Sequence, residues 1–503
     1  MSDTPLNASA DAPEFPIVGF AFLVGIVSAL AGIAAVVGIV ALRLPPRTVL
    51  LVPAVPCAAA ILLVLFATVQ RALCLAAFAI APLGIVQAEI LGVTLNLPEV
   101  LILALFLRVG VVFLLHGERP AIGLPITGLA AYLAAACIGV VTGLVQGHGV
   151  VAVLQDFRQF TEFVALYLIV VHRVSTPKQV KQIVACFFAG CALLALHGIV
   201  ERFTNIGIPL MQVLSDAVYH GATRSGSFYG ATPLGALLVL AICGSVALML
   251  STRSWFTRLL LGVATAVCLT TIVFTNTRAS WVSLFFALIV VFLSIRKTPR
   301  LVLTVAVTCL VFGAALGSLV VARMEKIEFT KGERSLLERV DYYKTAWYIF
   351  RKHPTLGLGW GAAYRRSDVL ANKRYVPRPR PRVFDEKFSA EESTVHSAYL
   401  QLLVKIGLIG LAGFLCILFS WFLRVMRAWR AGLRDELDYN LFVGITAALL
   451  GYLVHCSLEN FFQWPVMAQS FWLYMGLSTV MANILLEHSG RSTSQASPGP
   501  RTA

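Results

Sequence analysis

Run after run of apolar residues leaves this chain no way to fold in water. A helix rises 1.5 Å per residue, so about 20 apolar residues cross the hydrocarbon core of a bilayer. Inside that core only a helix or a closed barrel satisfies its own backbone. Runs of this kind fall at 17–42, 48–68, 72–95, 97–115, 121–145, 158–173, 179–200, 229–251, 256–275, 279–295, 300–322, 397–423, 440–457 and 465–487. They predict about fourteen spanning helices, or about twelve if the 72–115 region divides differently. Pro53, Pro56 and Pro82 are expected to kink their helices. Only 13 % of the residues are charged, against roughly 25 % in a soluble domain, and the mean hydropathy is +0.83. The fold class this predicts is all-α, a polytopic transmembrane helix bundle. The first residues, MSDTPLNASADAPEF, are acidic and the first run is too long for a secretory signal, so that run is expected to remain a span.

The formal net charge is +15. In a chain this apolar the excess belongs to cytoplasmic loops, and nucleic acid is not an expected partner. The ten cysteines all lie in apolar runs and no CxxC occurs. A disulfide framework or a zinc site is therefore not expected, and the cysteines should pack as small apolar residues.

Orientation follows from the positive-inside rule. With the N-terminus inside, the inner loops hold Arg71 and Arg119, then Arg173, Lys178 and Lys181. Arg253 and Arg258 follow, then Arg296, Lys297 and Arg300, then Arg424, Arg427, Arg430 and Arg434. Arg43 and Arg47 run against this scheme and are outvoted. The expected organisation is a cytoplasmic N-terminal tail (1–16), N-terminal transmembrane helices (17–200) and a transmembrane core with arginine motifs (201–322). A periplasmic loop (323–396), C-terminal transmembrane helices (397–487) and a disordered cytoplasmic tail (488–503) complete it. The 323–396 loop, Arg224 and Arg278 then share the outer face. No internal repeat of the kind that marks many transporters is visible.

The long loop should be ordered at its start. Ser335 and Glu338 fit a capping box. Val340, Tyr343, Ala346, Trp347 and Phe350 follow at helical spacing, which predicts an amphipathic helix lying on the bundle or at the membrane interface. HPTLGLGWG should close that helix, and VPRPRPR (376–382) should be extended.

Three residues on the outer face are candidates for chemistry. Arg224, in RSGSFYGATPLG, is placed either to hold a phosphate bidentately or to snorkel to headgroups. Arg278 sits in the turn TNTRAS at the membrane edge, where a charge needs a partner. His396, ahead of a span, is placed to take a proton near neutral pH or simply to start the helix. Glu89, Arg108, His197, Lys405 and His455 lie in or near spans. Asp156, Arg158 and Glu162 lie at an outer helix entrance, where they would line a cavity.

In order and spacing, RSGSFYGATPLG, TNTRASWVSL, HPTLGLGWG and VHSAYLQLLVKIGLIGL resemble the O-antigen ligase and O-antigen polymerase superfamily over roughly residues 200–480. The resemblance implies a membrane glycosyltransferase of the GT-C kind. Such an enzyme moves a glycan from an undecaprenyl-diphosphate carrier to an acceptor, with inversion and with neither nucleotide sugar, cofactor nor metal. On that resemblance Arg224 and Arg278 bind the diphosphate, Arg339 joins them from the loop, and His396 is the general base. The chain departs from the family pattern at Lys405, where an acidic residue is frequent, and at Ser397, where asparagine is frequent. Arg224 to Gly235 fits the Arg-x10-Gly pattern of the polymerases. The expected partners are the lipid-linked donor, a glycan or lipid A core acceptor, membrane lipids and a chain-length regulator protein. Polymerisation of repeat units is the first reading. The others are ligation to lipid A core or to protein, and, in another class, a transporter of lipid-linked glycan.

Overall fold

The computed structural model of the chain describes residues 67–84, 87–90, 93–116, 126–204, 230–294, 329–377, 395–431 and 436–495. The runs expected at 17–42 and 300–322, most of 48–68, and the stretch RSGSFY that begins at Arg224 lie outside the described residues.

In chain order the elements are α1 (Val69–Leu83), β1 (Gln87–Ile90), β2 (Val93–Asn96), α2 (Leu97–His116), α3 (Ile126–Val145), α4 (Val150–Thr161), α5 (Val164–Arg173) and α6 (Pro177–Thr204). Then come α7 (Ala231–Leu250), α8 (Trp255–Thr275), α9 (Arg278–Ser294), α10 (Phe329–Lys352) and α11 (Arg366–Asn372). The last are α12 (Ala398–Arg430), α13 (Glu436–Cys456), a 3-10 turn (Phe461–Gln463) and α14 (Pro465–Gln495). Among the described residues six helices are long and apolar enough to cross a membrane: α3, α6, α7, α8, α12 and α13. Helices α1 and α9 are shorter and equally apolar.

This is the expected all-α polytopic bundle. Helix α7 is apolar on every side and buried on nearly every side, which marks it as a core helix. It packs on α6, α8, α9 and α13. Helix α8 instead turns Trp255, Phe256, Leu259, Leu260 and Val263 outward, as a lipid-facing helix does.

Two expected spans are built differently. The run at 72–95 is not one helix. Helix α1 carries Pro82 in its last turn and ends at Gly84, and the antiparallel ribbon β1–β2 follows, pairing Gln87 with Asn96. A reciprocal cap then starts α2: Glu99 N–H donates to Asn96 Oδ1 at 2.9 Å and Asn96 N–H to Glu99 Oε2 at 2.6 Å, the capping-box arrangement with asparagine first. The run at 158–173 is two helices, α4 and α5, with Glu162 and Phe163 between them. Arg158 lies 2.9 Å from the buried Glu99 carboxylate and 3.4 Å from Glu162, so this corner is ordered by charge pairs. Helix α14 runs to Gln495, into the segment read as tail.

The loop helix also differs from expectation. Helix α10 begins at Phe329, so Ser335 lies inside it and is not its cap. Its buried face is Tyr342, Thr345, Ala346 and Ile349, whereas Val340, Tyr343 and Trp347 point outward. Of the expected apolar face only Ala346 is fully buried. The helix is apolar on two sides, and spacing alone could not choose between them.

The loop is tied to the bundle at a break in α12. Helix α12 is broken at Gly407 (φ 65°, ψ −164°). The break would orphan the carbonyls of Val404 and Lys405 and the N–H groups of Leu408 and Ile409, four groups that an unbroken helix pairs with one another. The segment HPTLGLGWG takes all four. Leu358 and Gly359 N–H donate to the carbonyls of Val404 and Lys405 at 2.9 Å each. Leu408 and Ile409 N–H donate to the carbonyls of Pro354 and Thr355 at 2.9 and 3.4 Å. The chains pass so closely that a Cβ at Gly407 would lie 2.2 Å from the Thr355 carbonyl, and one at Gly359 would lie 2.2 Å from Gly143 N. Both glycines also have positive φ, so glycine is required twice over.

Side chains lock the docked segment. Trp360 is fully buried against α3; its N–H donates to the Gly139 carbonyl and its indole to the Ala136 carbonyl at 2.7 Å. Lys405 Nζ donates to Asp156 Oδ2 at 3.0 Å and to the Ala362 carbonyl at 2.6 Å, while Gly361 N–H donates to the same Asp156 oxygen at 2.8 Å. Both ionic side chains are buried. Lys405, the departure from the family pattern, is thus the positive half of a structural ion pair with Asp156.

Removing one partner of a buried pair leaves a naked charge and costs about 3–5 kcal/mol. Lys405→Met is expected to destabilise the detergent-solubilised protein by that amount. The double variant Asp156→Asn, Lys405→Met should recover most of the loss, because asparagine still accepts from Gly361; thermal unfolding measures both. The same segment predicts a pH response. Burial lowers the pKa of His148 and of His353 below 6.5. Neutral imidazoles therefore contribute stability that is full above about pH 6.5 and is lost as pH falls below it. The unfolding temperature should drop between about pH 7 and pH 5, and His148→Gln with His353→Gln should flatten that drop.

Candidate active site

The break at Gly407 leaves a short first piece of α12, and His396 stands two residues ahead of it. Ser397 is the N-cap: its hydroxyl accepts from Leu400 N–H at 3.5 Å. Serine caps as well as the family's frequent asparagine, which accounts for the second departure from the pattern. His396 itself takes φ 44°, a left-handed conformation that costs a histidine about 1–3 kcal/mol and persists only where its surroundings impose it.

Those surroundings come from three elements. Glu459 lies in the turn after α13, held by its N–H donating to the His455 carbonyl at 3.1 Å. Its Oε2 is 2.9 Å from His396 Nδ1. Its Oε1 is 3.6 Å from a guanidinium nitrogen of Arg339, on α10. A second Arg339 nitrogen donates to the Leu458 carbonyl at 2.7 Å. One turn along α10, the Tyr342 ring lies on His396, centroid to centroid 4.4 Å. The Arg366 guanidinium, at the start of α11, lies 4.4 Å from the Tyr342 centroid, within cation–π range. His396 remains 28 % exposed at its side chain, so the cluster is ordered yet open.

The geometry sets the tautomer. A carboxylate only accepts, so Nδ1–H donates to Glu459 and Nε2 is the nitrogen that takes a proton. This is the base-and-orienter arrangement of acid–base enzymes.

Arg278 is the first residue of α9 and is exposed, after a tight turn in which Asn276 takes φ 54°. Helices α9 and α13 run antiparallel: Tyr439 hydroxyl donates to the Ser294 carbonyl at 3.4 Å, and further along Gly451 sits against Ser283. The Arg278 end of α9 is therefore the Cys456 end of α13, beyond which Glu459 and His396 lie. Arg278, Arg339 and His396 stand at one end of the bundle; Arg224 lies outside the described residues. Gly235 packs on α9, where a Cβ would lie 2.1 Å from Ser280 Oγ, so helix approach explains that glycine.

The weaker candidates divide. Arg158 and Glu162 join Glu99 in the corner between α2, α4 and α5. Arg108 donates to the Ala67 carbonyl. Glu89 belongs to β1, opposite Thr94. His197 lies in α6. His455 is fully buried with its ring 4.7 Å from Phe461 and no hydrogen-bond partner for either nitrogen among the described residues. Sequence reasoning missed Glu459, Tyr342 and Arg366. For Glu459 a signal existed: a carboxylate in the short turn CSLENFFQWP, between two spans and on the face that the span count assigns to His396.

The fold defines a multi-pass membrane protein with a histidine-centred polar cluster at one end of its bundle. Residues 263–415 match the family model described as O-antigen ligase. The matched stretch runs from within α8 to within α12 and includes Arg278, Arg339, Tyr342, Arg366 and His396, with Glu459 beyond it. It supports membership of the O-antigen ligase and polymerase superfamily, glycan-transferring membrane enzymes. No curated protein matches the chain.

Losing the N-cap should cost about 1 kcal/mol. Ser397→Ala is expected to lower stability by that amount in chemical unfolding, and Ser397→Asn to leave it nearly unchanged.

Proposed function

We propose that this protein transfers a glycan from an undecaprenyl-diphosphate carrier to an acceptor hydroxyl at the periplasmic face of the inner membrane, polymerising polysaccharide repeat units. The observation that carries the proposal is the His396–Glu459–Arg339 cluster, open at its histidine and set at the same end of the bundle as Arg278. The positive-inside rule gives its side: Arg173, Lys178, Lys181, Arg253, Arg258, Arg424 and Arg427 all belong to the opposite end.

In this reading the acceptor hydroxyl gives its proton to His396 Nε2 while its oxygen attacks the anomeric carbon. The bond from that carbon to the diphosphate breaks, and undecaprenyl diphosphate leaves with the electron pair, inverting the centre. Glu459 keeps Nδ1 protonated and offsets the imidazolium charge as it forms. Arg278, Arg339 and Arg224 supply positive charge where the leaving diphosphate gains negative charge. Arg339 does so while holding Glu459, so one guanidinium couples base and leaving group. The family description favours a second reading, ligation of finished glycan to lipid A core or to protein, by the same chemistry.

Purified protein given lipid-linked repeat units should yield a ladder of products; a single addition to lipid A core or protein would mark the ligase. His396→Ala should lower transfer by about 10³-fold or more, Arg278→Ala by about 10²–10³, and Glu459→Gln by about 10², with each variant inserted and folded. Full activity in both the His396 and Arg278 variants would overturn the mechanism.

A further inference from the structure

Helix α10 has two apolar faces. One, with Tyr342, Ala346 and Ile349, is buried on the bundle and delivers Tyr342 and Arg339 to the site. The opposite face carries Leu337, Val340, Tyr343 and Trp347; Leu337 is 62 % and Trp347 55 % exposed. At i, i+3, i+6 and i+10 these four form one stripe along the helix.

Beyond the exposed Arg351 and Lys352, an exposed apolar surface resumes on a spanning helix. After α10 ends, the exposed Leu356 lies beside Leu408 and Ile409, because Ile409 N–H donates to the Thr355 carbonyl. Leu408 and Ile409 are exposed, as are Leu415 and Phe419 further along α12. The part of α12 after Gly407 is about 23 residues long, enough to cross the hydrocarbon core by itself. Its first residues therefore mark the outer membrane boundary, and the C-terminal end of α10 is hydrogen-bonded through Pro354 and Thr355 to that level. The composition fits the boundary. Tryptophan and tyrosine concentrate at the headgroup level, and the exposed Lys344 and Arg351 flank the stripe on the same side, placed for lipid phosphates.

We infer that the outward face of α10 is a membrane-interface surface, seated in the headgroup and upper acyl region of an anionic bilayer. One face of the helix then reads the bilayer while the other holds Arg339 and Tyr342, which fixes the height of the site above the membrane. The inference does not depend on the proposed reaction.

The full chain in nanodiscs of phosphatidylcholine and phosphatidylglycerol tests it. The emission of Trp347 is the difference between wild type and Trp347→Phe. Lipids brominated near the glycerol end of their acyl chains should quench that component about twofold; lipids brominated near the methyl end should quench it less, and aqueous iodide should not reach it. Quenching by iodide and by neither brominated lipid would overturn the inference and make the face one for water or a soluble glycan. Quenching that appeared only after adding a polyprenyl diphosphate would also overturn it, assigning the face to the carrier.

Discussion

The break in α12 at Gly407, and the exchange of four backbone hydrogen bonds that repairs it, hold the rest of the structure in place. A helix that stops leaves backbone polar groups unpaired, and each one buried without a partner costs about 1–3 kcal/mol. HPTLGLGWG meets that demand by sending two N–H groups and two carbonyls into the gap. The exchange turns a loop into part of the scaffold. It frees the nine residues before Gly407 to act as a separate short helix with His396 at its head, and it anchors the end of α10, which carries Arg339 and Tyr342. The glycines at 357, 359 and 407 follow from the closeness of these chains.

The charges around His396 are arranged by a second constraint. Glu459 serves two partners with its two oxygens, so the carboxylate that orients the histidine also anchors a guanidinium. Tyr342 lies between His396 and Arg366, which restricts the imidazole on its remaining side. A left-handed histidine is unfavourable alone, and its persistence here reflects this enclosure. By contrast, the Asp156–Lys405 pair is buried and fixes the docked loop, while the half-buried Arg158 and Glu162 join the buried Glu99 where helices α2, α4 and α5 meet.

Much of this was legible in the chain. The spans at 229–251, 256–275, 279–295 and 440–457 appear with boundaries shifted by only a few residues, because a long apolar run has one way to satisfy its backbone in lipid. The common face of Arg278 and His396 followed from counting spans. Other features were not legible for physical reasons. The 72–95 run reads as one span because Val, Leu and Ile suit strand and helix alike; the stop at Gly84 and the Asn96–Glu99 cap decide it. Helix α10 has two apolar sides, and which one is buried depends on what lies beneath. Glu459 was passed over because its partner stands 63 positions away.

Sequence alone determined that this protein lives in a membrane as a helical bundle, where several of its spans begin and end, and that one long polar loop ends in a histidine on the arginine side. These properties follow from hydrophobic length and charge, which are local. Tertiary structure alone decided that the glycine-rich segment repairs a broken helix, that Lys405 answers Asp156, and that His396 is held by Glu459, Arg339 and Tyr342. Each of those depends on groups brought together from distant parts of the chain, and spacing along one helix carries no record of what its neighbours present.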